Sequence, residues 1–254
     1  MDRINRVFKS NKNIISIYFT AGYPNLNDTL NIIRELDLAK VNMIEIGLPF
    51  SDPLADGPTI QESSKSALKN GMNTQILFDQ LSDMRKITEI PVVIMGYFNP
   101  ILQFGVENFC ESCKNIGIDG LIIPDLPVDV YNDVYKKIFK SYDLLNMFLI
   151  TPQTSERRIK FIDKISEGFI YMVSSYNVTG AMDSFDSFQR KYFKRINNMK
   201  LSSPLLVGFG ISNKKTFEDA CNYSKGAIIG SAYINWISEN GISKTSDFIK
   251  SIRC

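Results

Sequence analysis

The chain has 254 residues, 44% hydrophobic and 22% charged, with a net charge of +2, a composition that suits one sizeable globular core. Lysines and arginines are scattered, and the short run at 190–195 alternates with aromatics as a solvated helix face does, which excludes a nucleic-acid partner. No apolar run approaches a membrane span, and the opening MDRINRVFKSNKN lacks the apolar centre of a signal peptide, so the expectation is a cytoplasmic protein with no membrane partner.

Ile4, Val7 and Phe8 suit a short amphipathic helix packed on the domain. Ile14–Thr20 reads as a first strand, and AGYPN follows as a turn. Asp28 caps a helix running to about residue 40, and Met43–Gly47 is the second strand. Helix signals resume over 59–69 and 74–87, and a third strand over 91–97 runs into FNPI. Helix Val106–Ile116 leads to a strand over 120–124 and the turn DLP, then a helix over 128–140 leads to a strand over 145–151. A helix over 156–166 precedes the strand at 169–174, after which a polar, glycine-bearing loop spans 175–183. A helix over 185–197 precedes the strand 205–209 and GFGIS; a helix over 214–223 precedes a last strand, 227–229, and GSA. Thr245–Ile252 is the final helix.

The strands are short and nearly all apolar, as expected where protein covers both faces. Strand and helix alternate through eight units, which predicts a parallel sheet closed into a single-domain (β/α)8 TIM barrel over residues 1–254. A doubly wound open sheet would want a glycine-rich fingerprint after the first strand, and AGYP is not one.

Glu45 is the anomaly within Met43–Gly47, where Ile44 and Ile46 share one face and Met43 and Glu45 the other. A carboxylate tied to a nearby lysine or arginine is the simpler reading. Asp56, a second carboxylate in the same strand-to-loop connection, favours a catalytic one, because two acids in different environments separate an acid role from a base role. The sequence has no histidine, so histidine-dependent triads and histidine-ligated metals are excluded, and proton transfer must fall to Glu, Asp, Tyr, Lys or Cys. Cys110 and Cys113 have CxxC spacing without a second pair, and read as helix thiols instead of a zinc site.

In such barrels the chemistry sits at the C-terminal ends of the strands. That rim gathers Glu45, Asp56, Tyr97, Asn99, Asp125, Thr151, Tyr171, Thr179, Gly180 and the glycine turns at 208–210 and 230–231. One glycine there would be a turn residue as readily as a ligand contact. Two, in the seventh and eighth units, predict a phosphate pocket built on main-chain N–H groups.

IEIGLPFSDPLADGP, MGYFNPI, GLIIPDLP, YMVSSYNVTG, VGFGIS and IIGSA, in that order and over most of the chain, resemble the tryptophan synthase α-subunit family. The resemblance implies a lyase that cleaves indole-3-glycerol phosphate to indole and glyceraldehyde 3-phosphate by a retro-aldol reaction. It implies no metal or cofactor in this chain, pyridoxal phosphate being expected only in a β subunit that receives the indole within an α2β2 heterotetramer. Matched residue by residue, it makes Glu45, Asp56 and Tyr171 catalytic, with Glu45 neutral in the apolar barrel and Asp56 ionised in a polar loop. It assigns the phosphate to Gly180, Gly210, Gly230 and Ser231. Tyr18, Met95, Tyr97, Ile122, Phe209 and Ile228 would wall the indole pocket, and Thr179 would close over Asp56. Pro49, Asp52 and Leu54 would face the β subunit. Ser175, Tyr176 and Asn177 stand where the family commonly carries arginine, a small residue and glycine, so a looser loop closure is expected. A free-standing lyase without a β partner, a sugar-phosphate isomerase and an inactive scaffold barrel are the competing readings. The intact Glu45 and Asp56 argue against the last, and the rim shows no lysine or histidine for the isomerase.

Overall fold

The computed structural model describes residues 2–174 and 185–253. Its strands are β1 (Ile14–Thr20), β2 (Met43–Gly47), β3 (Val92–Met95), β4 (Gly120–Ile122), β5 (Leu145–Ile150), β6 (Ile170–Val173), β7 (Leu205–Gly208) and β8 (Gly226–Ile229). All pair in parallel in chain order, and β8 pairs back onto β1, so the sheet closes and has no edge. The predicted barrel is the observed one. The eight strands stand within one or two residues of their expected places, except that β4 is shorter and β3 stops before Gly96 and Tyr97.

Closure divides the strand side chains into two layers. Ile15, Ile17 and Phe19 of β1 and Ile44 and Ile46 of β2 point outward to the helices. Ile14 and Tyr18, with Met43 of β2, point inward, where Val93, Ile122, Met147 and Leu206 fill the barrel. Glu45 follows the inward alternation between Ile44 and Ile46, opposite Tyr18 on β1 and Val93 on β3.

The helices are α1 (Arg3–Ser10), α2 (Thr29–Leu38), α3 (Pro58–Lys69), α4 (Thr74–Leu81), α5 (Phe98–Phe104) and α6 (Val106–Ile116). After α6, a helix labelled α7 begins at Val128–Val130, widens to π geometry over Tyr131–Tyr135 and continues through Lys136–Ser141. Then come α8 (Glu156–Ile165), α9 (Ser187–Asn198), α10 (Lys214–Cys221), α11 (Ser231–Asn240) and α12 (Thr245–Ile252). Two of these, α5 and α11, were not expected. In α5 Pro100 falls in the first turn, where proline's missing N–H costs nothing. The helix expected over 74–87 ends at Leu81 and gives way to a 3-10 turn at Met84–Lys86. Cys110 and Cys113 lie on the buried face of α6 as free thiols.

The N-terminal helix closes the barrel's bottom. Asp2 caps α1 by accepting the Asn5 N–H at 2.8 Å, and Phe8 packs on Phe169 with ring centroids 5.6 Å apart. Beside it Asp119, 7% exposed, accepts Arg85 Nη2 at 2.6 Å, Arg3 Nη1 at 3.3 Å and the Val92 N–H at 2.8 Å. Arg85 also donates to the carbonyls of Gly117, Thr88 and Ile90, so its guanidinium ties the segment before β3 to the segment before β4. Removing one partner of such a buried pair strands the other charge. Asp119→Ala is therefore expected to cost about 3 kcal/mol of stability, read as a lower urea midpoint, with Asp119→Asn less affected because it still accepts the Val92 N–H.

Candidate active site

Three carboxylates are buried among the described residues: Glu45, Asp56 and Asp119. Asp119 has two arginines at the bottom of the barrel. The other two lie toward the opposite end, and neither makes a salt bridge among the described residues.

Glu45 is completely buried. Its Oε1 accepts the Ser16 hydroxyl at 2.6 Å, while its Oε2 has no hydrogen-bond partner among the described residues. Burial pushes its pKa up to about 8, against the smaller opposing pull of the Ser16 donor, and no cation contributes. Of the two readings open for Glu45 in the sequence, the ion pair is absent.

Asp56 departs from its expected polar loop. The β2–α3 connection folds inward through an Asp56 N–H bond to the Pro53 carbonyl at 3.0 Å. The Tyr97 hydroxyl holds the turn, accepting the Ala55 N–H at 2.8 Å and donating to Asp56 Oδ2 at 3.2 Å. Asp56 is left only 7% exposed, and burial lifts its pKa to about 6, moderated by the Tyr97 donor. Asp56 therefore ionises below neutrality and Glu45 above it, which is the separation two-carboxylate chemistry requires. Its origin is a difference in depth, not a dry site beside a wet one.

Tyr18 and Tyr171 stand close to both acids. Burial holds each phenol well above its ordinary range, and the charges of Glu45 and Asp56 push the same way, so both rings stay neutral. Gly47 and Gly208 make room for them: a Cβ would stand 2.1 Å from the Tyr18 oxygen at the first and 2.2 Å from the Tyr171 oxygen at the second. The sequence shows these glycines as strand ends; only the neighbouring strand's register reveals them as seats for a tyrosine hydroxyl.

One cavity opens over this arrangement. Tyr18, Met95, Phe209 and Ile228 of the expected ring pocket line it, as do Asp56 and Tyr171. Gly210, Gly230 and Ser231 of the expected phosphate grip line it too. Glu45 and Ile122 are fully buried and outside its lining, and Tyr97 stands behind Asp56. The start of α3, Gly57 to Ile60, forms a wall that the sequence reading missed; Pro58 at its first helical position was the available signal.

The expected phosphate grip falls at a helix N-terminus. Gly230 caps α11 and Ser231 begins it, so the first N–H groups of a ten-residue helix open toward the cavity with its partial positive charge. Across from it, Phe209 and Gly210 both adopt left-handed angles, φ 67° and 75°. Glycine does so freely; Phe209 is strained there, and its ring meets Tyr171 edge-on at 6.3 Å. Thr179 and Gly180, with the departures at Ser175, Tyr176 and Asn177, lie outside the described residues. Of the expected partner-facing residues, Pro49 is buried, whereas Asp52 and Leu54 lie on the surface, Leu54 with 89% exposure.

A family model described as tryptophan synthase alpha chain matches residues 4–253. The tryptophan synthase alpha chain of Flavobacterium johnsoniae is 63% identical over 253 residues, covering 100% of both chains. That of Bacteroides thetaiotaomicron is 52% identical over 256 residues, covering 98% of this chain and 100% of its own. Among solved structures, tryptophan synthase subunit alpha from Legionella pneumophila superposes with a TM-score of 0.89 at 29% identity, covering 100% of this chain and 97% of that one. A chain of the tryptophan synthase complex from Pyrococcus furiosus does so with 0.85 at 32% identity, over 95% and 98%. Its sequence and its barrel agree end to end with these relatives: the chain belongs to the tryptophan synthase alpha chain family and is the subunit of an enzyme of tryptophan biosynthesis.

Proposed function

We propose that this chain cleaves indole-3-glycerol phosphate to indole and glyceraldehyde 3-phosphate, with Glu45 and Asp56 as the acid–base pair and Tyr171 beside them. The observation that carries the reading is the unpaired burial of Glu45, set against the doubly paired Asp119. With a pKa of about 8, Glu45 is mainly protonated at neutral pH and can donate to ring carbon C3. The bond from C3 to the hydroxyl-bearing side-chain carbon then breaks. Glu45 recovers its proton from that hydroxyl as the aldehyde forms, so the acid is regenerated. Asp56, mainly ionised, accepts a hydrogen bond from the ring N–H and stabilises positive charge on that nitrogen. Glu45 lies outside the cavity lining, and its unbonded Oε2 is the oxygen available for the transfer. Gly210, Gly230 and Ser231, with Gly180, hold the phosphate. Tyr18, Met95, Phe209 and Ile228 flank the ring, while Tyr97 acts by holding Asp56. The steps use this chain's own side chains and call for no metal or organic cofactor.

The indole passes to a β subunit carrying pyridoxal phosphate, in an α2β2 assembly. Leu54, almost wholly exposed beside Asp52 on the Asp56 loop, supports this reading, since a partner seated there would touch the segment that carries a catalytic acid.

Glu45→Gln is expected to lower kcat for indole release by roughly 10²- to 10⁴-fold while glycerol phosphate binding by calorimetry stays within twofold or so. Turnover like that of the parent would remove Glu45 from the mechanism. The kcat/KM profile is expected to be bell-shaped. Activity falls as pH drops through about 6, where Asp56 takes up a proton, and falls again as pH rises through about 8, where Glu45 loses one. The alkaline limb carries the assignment, because the substrate's phosphate also titrates near pH 6. Leu54→Asp is expected to weaken association with the β subunit by about tenfold or more in sedimentation or calorimetry. It should leave indole release by the isolated chain unchanged; undiminished β binding would place the interface elsewhere.

A further inference from the structure

Ser16 stands inside the barrel on β1, fully buried, opposite Met43 on β2 and Ile228 on β8. Apolar side chains surround this layer, with Ile14, Met43, Val93 and Ile228 among them. A hydroxyl in such a place is costly unless it is bonded, and its bond is the 2.6 Å contact to Glu45 Oε1. We propose that Ser16 is a positioning residue for Glu45: its hydroxyl occupies Oε1, so that the transferable proton resides on Oε2, the oxygen without a partner among the described residues. The inference rests on the reading of Glu45 as the acid and base of the reaction.

The argument is one of hydrogen-bond inventory. A serine hydroxyl has a single proton to donate, and a neutral carboxyl has one donor and one acceptor oxygen. With the Ser16 proton given to Oε1, that oxygen is the acceptor and Oε2 carries the acid proton. Once Oε2 has given its proton up, Ser16 is the one donor left to the buried carboxylate. Ser16 thus orients the neutral acid and stabilises the anion. The titratable groups facing Glu45 are Tyr18 from β1, Tyr171 from β6 and, beyond those rings, Asp56; Val93 on β3 and Met43 on β2 are apolar. None of the three carries a positive charge, and among the described residues Ser16, not either phenol, is the hydrogen-bond donor to Glu45.

The test compares the parent with Ser16→Ala, Ser16→Thr and Glu45→Gln. The protonated carboxyl stretch of Glu45 is followed by infrared difference spectroscopy across neutral and alkaline pH, with Glu45→Gln identifying the band. Ser16→Ala is expected to raise the midpoint by about one unit, roughly tenfold in proton affinity, and to move the alkaline limb of the kcat profile upward with it. Maximal kcat should drop severalfold with KM little changed, because the proton is then shared between both oxygens. Ser16→Thr, which keeps the donor, should restore midpoint and limb. Circular dichroism melting confirms that each variant is folded. An unmoved midpoint and limb in folded Ser16→Ala, with Glu45→Gln inactive, would overturn the role of Ser16 alone. An active Glu45→Gln would overturn the acid–base reading beneath it.

Discussion

A carboxyl group with no cation beside it, sealed inside a closed sheet, is the constraint on which this molecule turns. Closure of eight strands forces every inward side chain to share one dry space, and there Glu45 stands between Val93 and the neutral rings of Tyr18 and Tyr171. Ionising a group there forfeits hydration that nothing nearby replaces in full, so the neutral acid persists beyond the pH at which a surface glutamate would have ionised. The same barrel shows the structural solution to an equal problem at its other end. Asp119 is as well buried, and there Arg85 and Arg3 neutralise it, with a backbone N–H completing its bonds. One chain thus holds both uses of a buried acid, and they are told apart by what faces it.

Asp56 completes the logic because its burial is of another kind. Its loop is drawn in by a single tyrosine hydroxyl that accepts from Ala55 and donates to Asp56, so the acid keeps a donor and sits at the cavity wall instead of beneath it. The shift is smaller in consequence. Tyr97, expected at the ring pocket, works from behind the carboxylate and decides where that carboxylate is.

The strands were legible because a sheet covered on both faces demands short apolar runs between turn residues, and each such run became a strand. Binary alternation likewise showed which side of β2 carries Glu45. Depth was not legible. Tyr97, Ile122 and Glu45 all stand near strand ends, yet they lie at different levels beneath the cavity, because barrel stagger sets level and the register that encodes it is a property of paired strands. For the same reason Gly47 and Gly208 read only as strand ends and Ser16 as an ordinary strand residue, because their partners Tyr18, Tyr171 and Glu45 come from other strands. Helix α11 escaped notice because its first residues, Ser231 and Ala232, belong equally to a glycine turn, and its apolar residues do not settle on one narrow stripe.

The proposed phosphate grip and the two buried acids stand on different strands of the barrel. The helix end at Gly230 and Ser231 lies on the β8 side, and the carboxylates belong to β2 and the loop that follows it. Strand β1 stands between, carrying Tyr18 toward the cavity and Ser16 beneath it. In the proposed reaction the phosphate takes no part in the bond that breaks, so binding energy gathered at the helix end serves to place the ring over the acids. That placement must be accurate, for the proposed donor is a single oxygen of a single glutamate. A rigid inner strand joining the anchor to the acid is the shortest mechanical route between them, and a sheet without edges leaves that strand nowhere to slip. In the proposed reaction the dry interior that keeps Glu45 protonated is therefore also the frame that brings the ring within its reach.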